Sequence, residues 1–374
     1  MKRFFGILTA LLLMFTQNHV YADSGQQPEA AACSALIEAQ TGMLLRGEQS
    51  DRQTAAGSQT KLMTVLLTAQ AVECGKLAED AEIRVPSCAE GVSGASVWLM
   101  SGEKMTVTEL LKAVIIGNAN DASVALACAV SGTEQGFVSQ MNAEAFSLGL
   151  HSTRFADCTG MSAENVTTAY ELALICRELL QYAWLTPLFT TWRDFLRDGA
   201  TELVNENRLV RTEENLLGMK AGHGSESGYT LTLAGERDGM RCISVVLGCA
   251  DQEECFRTGK KLLGTGFSEY TVTTPDFSAE FLRPVTVRRG MSNAVLAESV
   301  QLRAAAVPAG ETVSCTVILP QYVAAPVRAG DVLGEIAFYC GDTLLYEAEL
   351  TAAADVPYRG LRETFCLLLG NLFK

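Results

Sequence analysis

The sequence predicts a mixed helix-and-strand (α/β, or α+β) domain over residues 23–270, a small all-β sandwich domain over 271–356, and an amphipathic helix over 357–374. Three observations carry this. Before residue 270, apolar residues recur at helical spacing in several runs, interleaved with short strand-like segments. Beyond it, extended segments alternate with glycine and proline turns, the texture of an all-β unit. The final stretch gathers its apolar side chains on one helical face.

Taken in order, the 374-residue chain opens Met1-Lys2-Arg3, runs through mostly apolar residues 4–15, and reaches Val20-Tyr21-Ala22 ahead of Asp23. A basic start, a short apolar core and small residues beside a cut predict a secretory signal peptide over residues 1–22, too short for a convincing membrane span. Cleavage there removes Lys2 and Arg3, so the formal charge moves from −14 to −16. An acidic mature chain argues against nucleic acid as a partner. The remaining 352 residues (374 minus 22) suggest two domains.

Cys33-Ser34-Ala35-Leu36-Ile37-Glu38 and Met43-Leu44-Leu45, split by Gln40-Thr41-Gly42, predict a hairpin. A helix follows from Ser58, with Leu62, Val65, Leu66, Ala69 and Val72 as its buried stripe. Further helices are expected over 107–116, 121–130, about 138–149 and 168–182, and strands over 229–234 and 242–247 around a turn at Glu236-Arg237-Asp238-Gly239. In the later part, strands are expected at Ala279-Glu280-Phe281-Leu282, Val285-Thr286-Val287, Ser299-Val300-Gln301-Leu302, residues 312–319 and Glu335-Ile336-Ala337-Phe338-Tyr339. In the tail, Tyr358, Leu361, Phe365, Leu368, Leu369 and Leu372 share a face, with Arg359, Arg362, Glu363, Asn371 and Lys374 elsewhere. Too short and too charged to span, it reads as a helix lying in a membrane surface, with a helix packed on the protein's own body as the alternative.

The chemistry starts at Ser58-Gln59-Thr60-Lys61. Spacing of i, i+3 puts the hydroxyl and the amine one turn apart on one helix face. A serine becomes a competent nucleophile when a neighbouring base takes its proton, and a lysine serves if burial or nearby positive charge lowers its pKa. The bland alternative is a capping Ser58 and a solvated Lys61. Only three histidines occur, His19, His151 and His223, and His19 lies in the leader. A Ser-His-Asp triad or a histidine-built zinc site therefore has little to draw on. No metal or organic cofactor is expected. All twelve cysteines follow residue 22, none in a Cys-x-x-Cys, and Cys128, Cys176 and Cys366 sit in apolar patterns that read as buried free thiols.

Three stretches carry a family resemblance: Ser58-Gln59-Thr60-Lys61, then Asn118-Ala119-Asn120-Asp121, then Lys220-Ala221-Gly222-His223. In this order they resemble Ser-x-x-Lys, Ser-x-Asn and Lys-Thr-Gly of the low-molecular-mass penicillin-binding proteins, serine D-alanyl-D-alanine carboxypeptidases sharing a site plan with class A β-lactamases. The resemblance implies a penicillin-binding/β-lactamase-like catalytic domain. It implies that Ser58 is acylated, that Lys61 takes its proton, that Asn120 contacts the substrate amide and helps hold Lys61, and that Lys220 supplies charge near the substrate carboxylate. The backbone N–H groups of Ser58 and His223 would form the oxyanion hole, and Gly222 would let a substrate strand approach. The implied partners are a peptidoglycan peptide ending in D-Ala-D-Ala, β-lactam antibiotics as covalent inhibitors, and a membrane surface on the extracytoplasmic side of a bacterial cell.

Three departures weaken the expected activity. Asn118 stands where the family has serine, Ala221 where it has threonine, and Cys255 where carboxypeptidases carry an arginine, with Arg257 as a nearby substitute. Losing one charge-assisted hydrogen bond to a carboxylate costs about 1.5–3 kcal/mol. The leading expectation is an exported serine carboxypeptidase of this family, active or impaired. The alternatives are a noncatalytic peptidoglycan-binding scaffold and, further off, a β-lactamase.

Overall fold

The computed structural model describes residues 32–275, 277, 282–299 and 302–365. The leader and residues 366–374 of the tail lie outside them, as do Cys366 and residues 279–281 and 300–301 of two expected strands.

The expected hairpin forms: β1 (Cys33–Glu38) pairs antiparallel with β2 (Leu44–Glu48). A 3₁₀ turn over Gly57–Gln59 runs into α1 (Thr60–Glu73). Then come α2 (Val107–Ile115), α3 (Asn120–Ser131), α4 (Glu134–Ser147), α5 (Ala169–Leu179) and the short α6 (Thr186–Thr190). α2 begins where a capping box predicts, with Thr106 accepting from the Glu109 N–H and Glu109 returning the bond. α4 starts earlier than the apolar pattern suggested, because Thr133 caps it by accepting from the Gly136 N–H.

The chain next lays down β3 (Leu216–Gly218), β4 (Ala221–Gly224), β5 (Gly228–Arg237) and β6 (Met240–Cys249), then α7 (Gln252–Glu269). A six-stranded sheet runs in the order β4-β5-β6-β1-β2, with β3 also on β5. Alternate side chains of a strand face opposite sides, and the cores follow that rule. Cys33, Ala35 and Ile37 of β1, with Ile243, Val245 and Leu247 of β6, pack under α1 to α5. Leu36, Cys242 and Val246 face the other way, against Phe256 and Leu263 of α7. The sheet is thus covered by helices on both faces.

α1 differs from its expected single stripe. Residues 60–69 are all buried, polar ones included, so the helix runs through the interior. Thr64 and Thr68 satisfy their hydroxyls on the Cys158 and Thr64 carbonyls. Cys128 is also corrected: it is partly exposed, and its Sγ lies 3.5 Å from that of Cys88. Cys176 is buried, as expected.

After α7, β7 (Tyr270–Thr273) pairs with β9 (Ala305–Pro308), while β8 (Val285–Arg288), which comes between them in the chain, pairs with Ala294–Val295 and Tyr322–Ala324. β10 (Val313–Ile318), β11 (Val332–Cys340) and β12 (Thr343–Ala352) form a sheet with Ala297–Ser299, in the order Ala297–Ser299, β12, β11, β10. Val285, Ile336, Phe338 and Leu350 belong to a separate core here. The tail helix begins later than its apolar face implies. Residues 357–359 bond to the backbone of Arg289 and Met291, and Tyr358 bridges to Gly290, so helical structure starts at Leu361.

Candidate active site

The site is assembled where the start of α1, the start of α3 and the edge strand β4 meet a cavity of about 560 Å³. Eight of the nine candidate residues line it: Ser58, Lys61, Asn118, Asn120, Ala221, Gly222, His223 and Cys255. The ninth, Lys220, is buried and donates to the Val114 carbonyl at 3.3 Å.

Ser58 sits in the turn before α1, and its side chain does not cap that helix. A buried carboxamide fixes the turn to the sheet instead. Gln59 donates to the Lys220 carbonyl at 3.1 Å and to Thr230 Oγ1 at 3.0 Å, and accepts from Thr232 at 3.0 Å. Gly222 is opposite Thr230 in the β4–β5 register. A methyl group on Gly222 would fall 2.6 Å from Ser58 Cβ, so only glycine allows this approach. Gly160 presses on the turn from the other side: a Cβ there would meet the Gly57 carbonyl oxygen at 1.9 Å.

Lys61 is not solvated. Only 2% of it is exposed, and Nζ donates to the Thr159 carbonyl at 2.6 Å. Burial, reinforced by the positive charge of Lys220, lowers its pKa to about 7, against the opposing pull of Glu206, Cys158 and Asp157. Burial likewise lowers Lys220 to about 8, with Glu206 again opposing. The Thr159 carbonyl is presented by a turn built on Asp157, whose carboxylate accepts from the N–H groups of Thr159, Gly160 and Ser162. Burial pushes that carboxyl upward, but these N–H groups hold it below its ordinary value.

Asn120 opens α3 and is held by the loop before it, its N–H donating to the Ala95 carbonyl and its Nδ2 to the Ser93 carbonyl at 2.7 Å. Among the described residues no hydrogen bond joins Asn120 to Lys61, and the Thr159 carbonyl holds the amine instead. Asp121 anchors that loop by accepting from Ser96, Val97 and Leu99.

Asn118 occupies the left-handed region at φ 54°, where asparagine is better tolerated than most residues. Its Nδ2 donates to Ser58 Oγ at 3.3 Å and to Glu206 Oε1 at 3.1 Å, while its buried Oδ1 has no partner. Cys255 lies in the first turns of α7, buried at the cavity wall. Arg257 is exposed, pairs with Glu254 and does not line the cavity, so it does not replace the missing arginine. The His223 ring is exposed and lies 4.3 Å from that of Tyr229. The geometry supplies a hydroxyl, a buried amine near its neutral form, and an edge strand for an extended peptide, the parts needed for acyl transfer.

A family model described as D-alanyl-D-alanine carboxypeptidase matches residues 21–251. The chain belongs to the D-alanyl-D-alanine carboxypeptidase family. It is 31% identical over 373 residues to the D-alanyl-D-alanine carboxypeptidase DacF of Bacillus subtilis, covering 96% of each chain. Among solved structures, penicillin binding protein 5 of Haemophilus influenzae is similar with a TM-score of 0.78 at 25% identity, over 87% of this chain and 97% of that one. Penicillin-Binding Protein D2 of Listeria monocytogenes, solved in a cefotaxime-bound form, is similar with a TM-score of 0.58 at 26% identity, over 63% of this chain and 96% of that one.

The carboxypeptidase-family motifs therefore converge as the resemblance implied, but three parts of this site escaped sequence reasoning: Gln59, the Asp157 turn and Glu206. The Asp157-Cys158-Thr159-Gly160 stretch carries a turn signal that could have been read, since aspartate accepts bonds from backbone N–H groups two or three residues on. Nothing local to Glu206 announces its place.

Proposed function

We propose that this chain is an exported serine peptidase that acylates Ser58 with peptidoglycan stem peptides ending in D-Ala-D-Ala, and with β-lactams, but releases D-alanine weakly. The observation that carries this reading is the buried Lys61, lowered to about 7, one turn from a hydroxyl held between Asn118 and Gly222. Lys61 takes the Ser58 proton as the hydroxyl oxygen attacks the carbonyl, and the substrate lies along β4, with the Ser58 and His223 N–H groups facing the developing oxyanion. Weakness follows from the wall. Its charged members are Lys61, Glu206 and Glu226, and it includes no arginine among the described residues. A terminal carboxylate meets Ala221 and Cys255 where a hydroxyl and a guanidinium would bind it.

The test incubates the protein with a labelled penicillin and with a D-Ala-D-Ala peptide, beside Ser58→Ala. Expected are a covalent label lost in the variant and slow D-alanine release. No label on the wild type refutes acylation and favours the noncatalytic scaffold, and rapid penicillin turnover favours a β-lactamase.

The same proposal places the protein at the outer face of the cell membrane, held by its tail. Leu361 and Phe365 are 92% and 63% exposed, and no helix among the described residues is long and apolar enough to cross a bilayer. A chain ending at residue 356 is expected to lose binding to lipid vesicles that the full chain retains. Equal binding by both would discard the anchor.

A further inference from the structure

The unexplained feature of the site is a carboxylate beside the nucleophile. Asn118 Nδ2 makes two bonds, 3.3 Å to Ser58 Oγ and 3.1 Å to Glu206 Oε1, and this shared nitrogen keeps the two oxygens within 6.4 Å of each other. No direct bond joins the two oxygens among the described residues, and the cavity that both line gives a water access beside the bridging amide.

The position is built from both sides. Asn205 fixes the loop, its Nδ2 donating to the Thr191 carbonyl at 3.0 Å and its Oδ1 accepting from the Asn207 N–H at 2.9 Å. Glu206, between these two buried asparagines, turns its side chain outward into the cavity wall. Asn118 spends its amide donors on this bridge while its Oδ1 stays buried without a partner, an unfavourable state for a polar atom. Its left-handed backbone adds strain. Such local violations collect where function requires them.

We infer that Glu206, held by Asn118, is the general base that takes a proton from the water hydrolysing the acyl-Ser58 ester. The inference rests on the acyl transfer proposed above and deepens it by assigning the second half-reaction. The water oxygen bonds to the acyl carbon as its proton passes to Glu206 Oε1. The tetrahedral intermediate then collapses: the bond from carbon to Ser58 Oγ breaks, and the proton returns to that oxygen. The products are a free carboxylic acid and the restored hydroxyl, with no other reactant needed. A lysine that has just received the Ser58 proton and passed it to the leaving amine need not serve as the only base for the second step.

The experiment follows formation and decay of the penicillin label on full-length wild type, Glu206→Gln and Glu206→Asp, in light and in heavy water. In Glu206→Gln the decay is expected to slow about 100-fold, within the range of general-base help, and far more than label formation slows. Glu206→Asp, which keeps a carboxylate, is expected to recover part of the decay rate. Wild-type decay is expected to slow in heavy water, and this sensitivity should vanish in Glu206→Gln. A Glu206→Gln label that decays at the wild-type rate, or wild-type decay indifferent to heavy water, overturns the assignment while acylation itself stands. No wild-type label at all overturns both.

Discussion

Replacing Lys61 with methionine is expected to slow labelling of Ser58 about 1000-fold while leaving the protein folded. Methionine keeps most of the volume of a side chain that is 2% exposed, so packing is largely preserved and the amine alone is lost. General-base help is commonly worth 10² to 10⁴ in rate. The pH profile checks the same claim independently. Lys61, lowered to about 7, is an ammonium without a free electron pair below that pH, so the wild-type labelling rate should fall about tenfold per pH unit there. Lys220, lowered to about 8, loses its positive charge above that pH, which sets the descending limb. Glu206, Asp157 and Cys158 all favour the protonated Lys61, and they bound how far the acid limb can move downward. A Lys61→Met protein that labels at the wild-type rate, or a wild-type acid limb centred near 4, would exclude the lysine as base.

Gly222→Ala is expected to abolish most labelling for a steric reason. The added carbon would lie 2.6 Å from Ser58 Cβ and 3.1 Å from its Oγ. Neither neighbour is the free end of a long side chain, so β4 and the nucleophile turn must move apart. Displacement on the order of 1 Å at a reacting group can cost about 100-fold in rate, and overpacking adds about 1–3 kcal/mol of destabilisation. Gly264→Ala provides the contrast, since a Cβ there meets nothing within 4 Å and the residue lies inside α7. That variant should label normally and melt no lower than the parent. Normal labelling by Gly222→Ala would mean that the close contact with Ser58 does not matter.

Much of the site was legible because its motif residues are local in sequence and their spacing encodes one turn of helix or one strand edge. Ser58 and Lys61 needed only the i, i+3 rule, whereas Asn118, Asn120, Lys220, Gly222 and His223 came from the family resemblance. The hairpin of β1 and β2 and the β5–β6 turn were equally open to reading, since strand runs flank turn residues. The bonds that hold the site are different in kind. Gln59 reaches residues 220, 230 and 232, Lys61 reaches residue 159, and Asn118 reaches residue 206. Long-range pairs of this sort leave no periodic trace. The same limit explains the tail, where backbone bonds to Arg289 and Met291 override the helical pattern at Tyr358.

The carboxamide of Gln59 has a wider implication. By clamping the reactive turn to β5 and to Lys220 just ahead of β4 rather than to the helix that follows, it makes the sheet the reference frame for the hydroxyl. Repacking beneath Thr230 or Thr232, on residues that never meet a ligand, would then be felt as altered reactivity at Ser58, whereas comparable changes at the far end of α1 would register mainly in melting temperature.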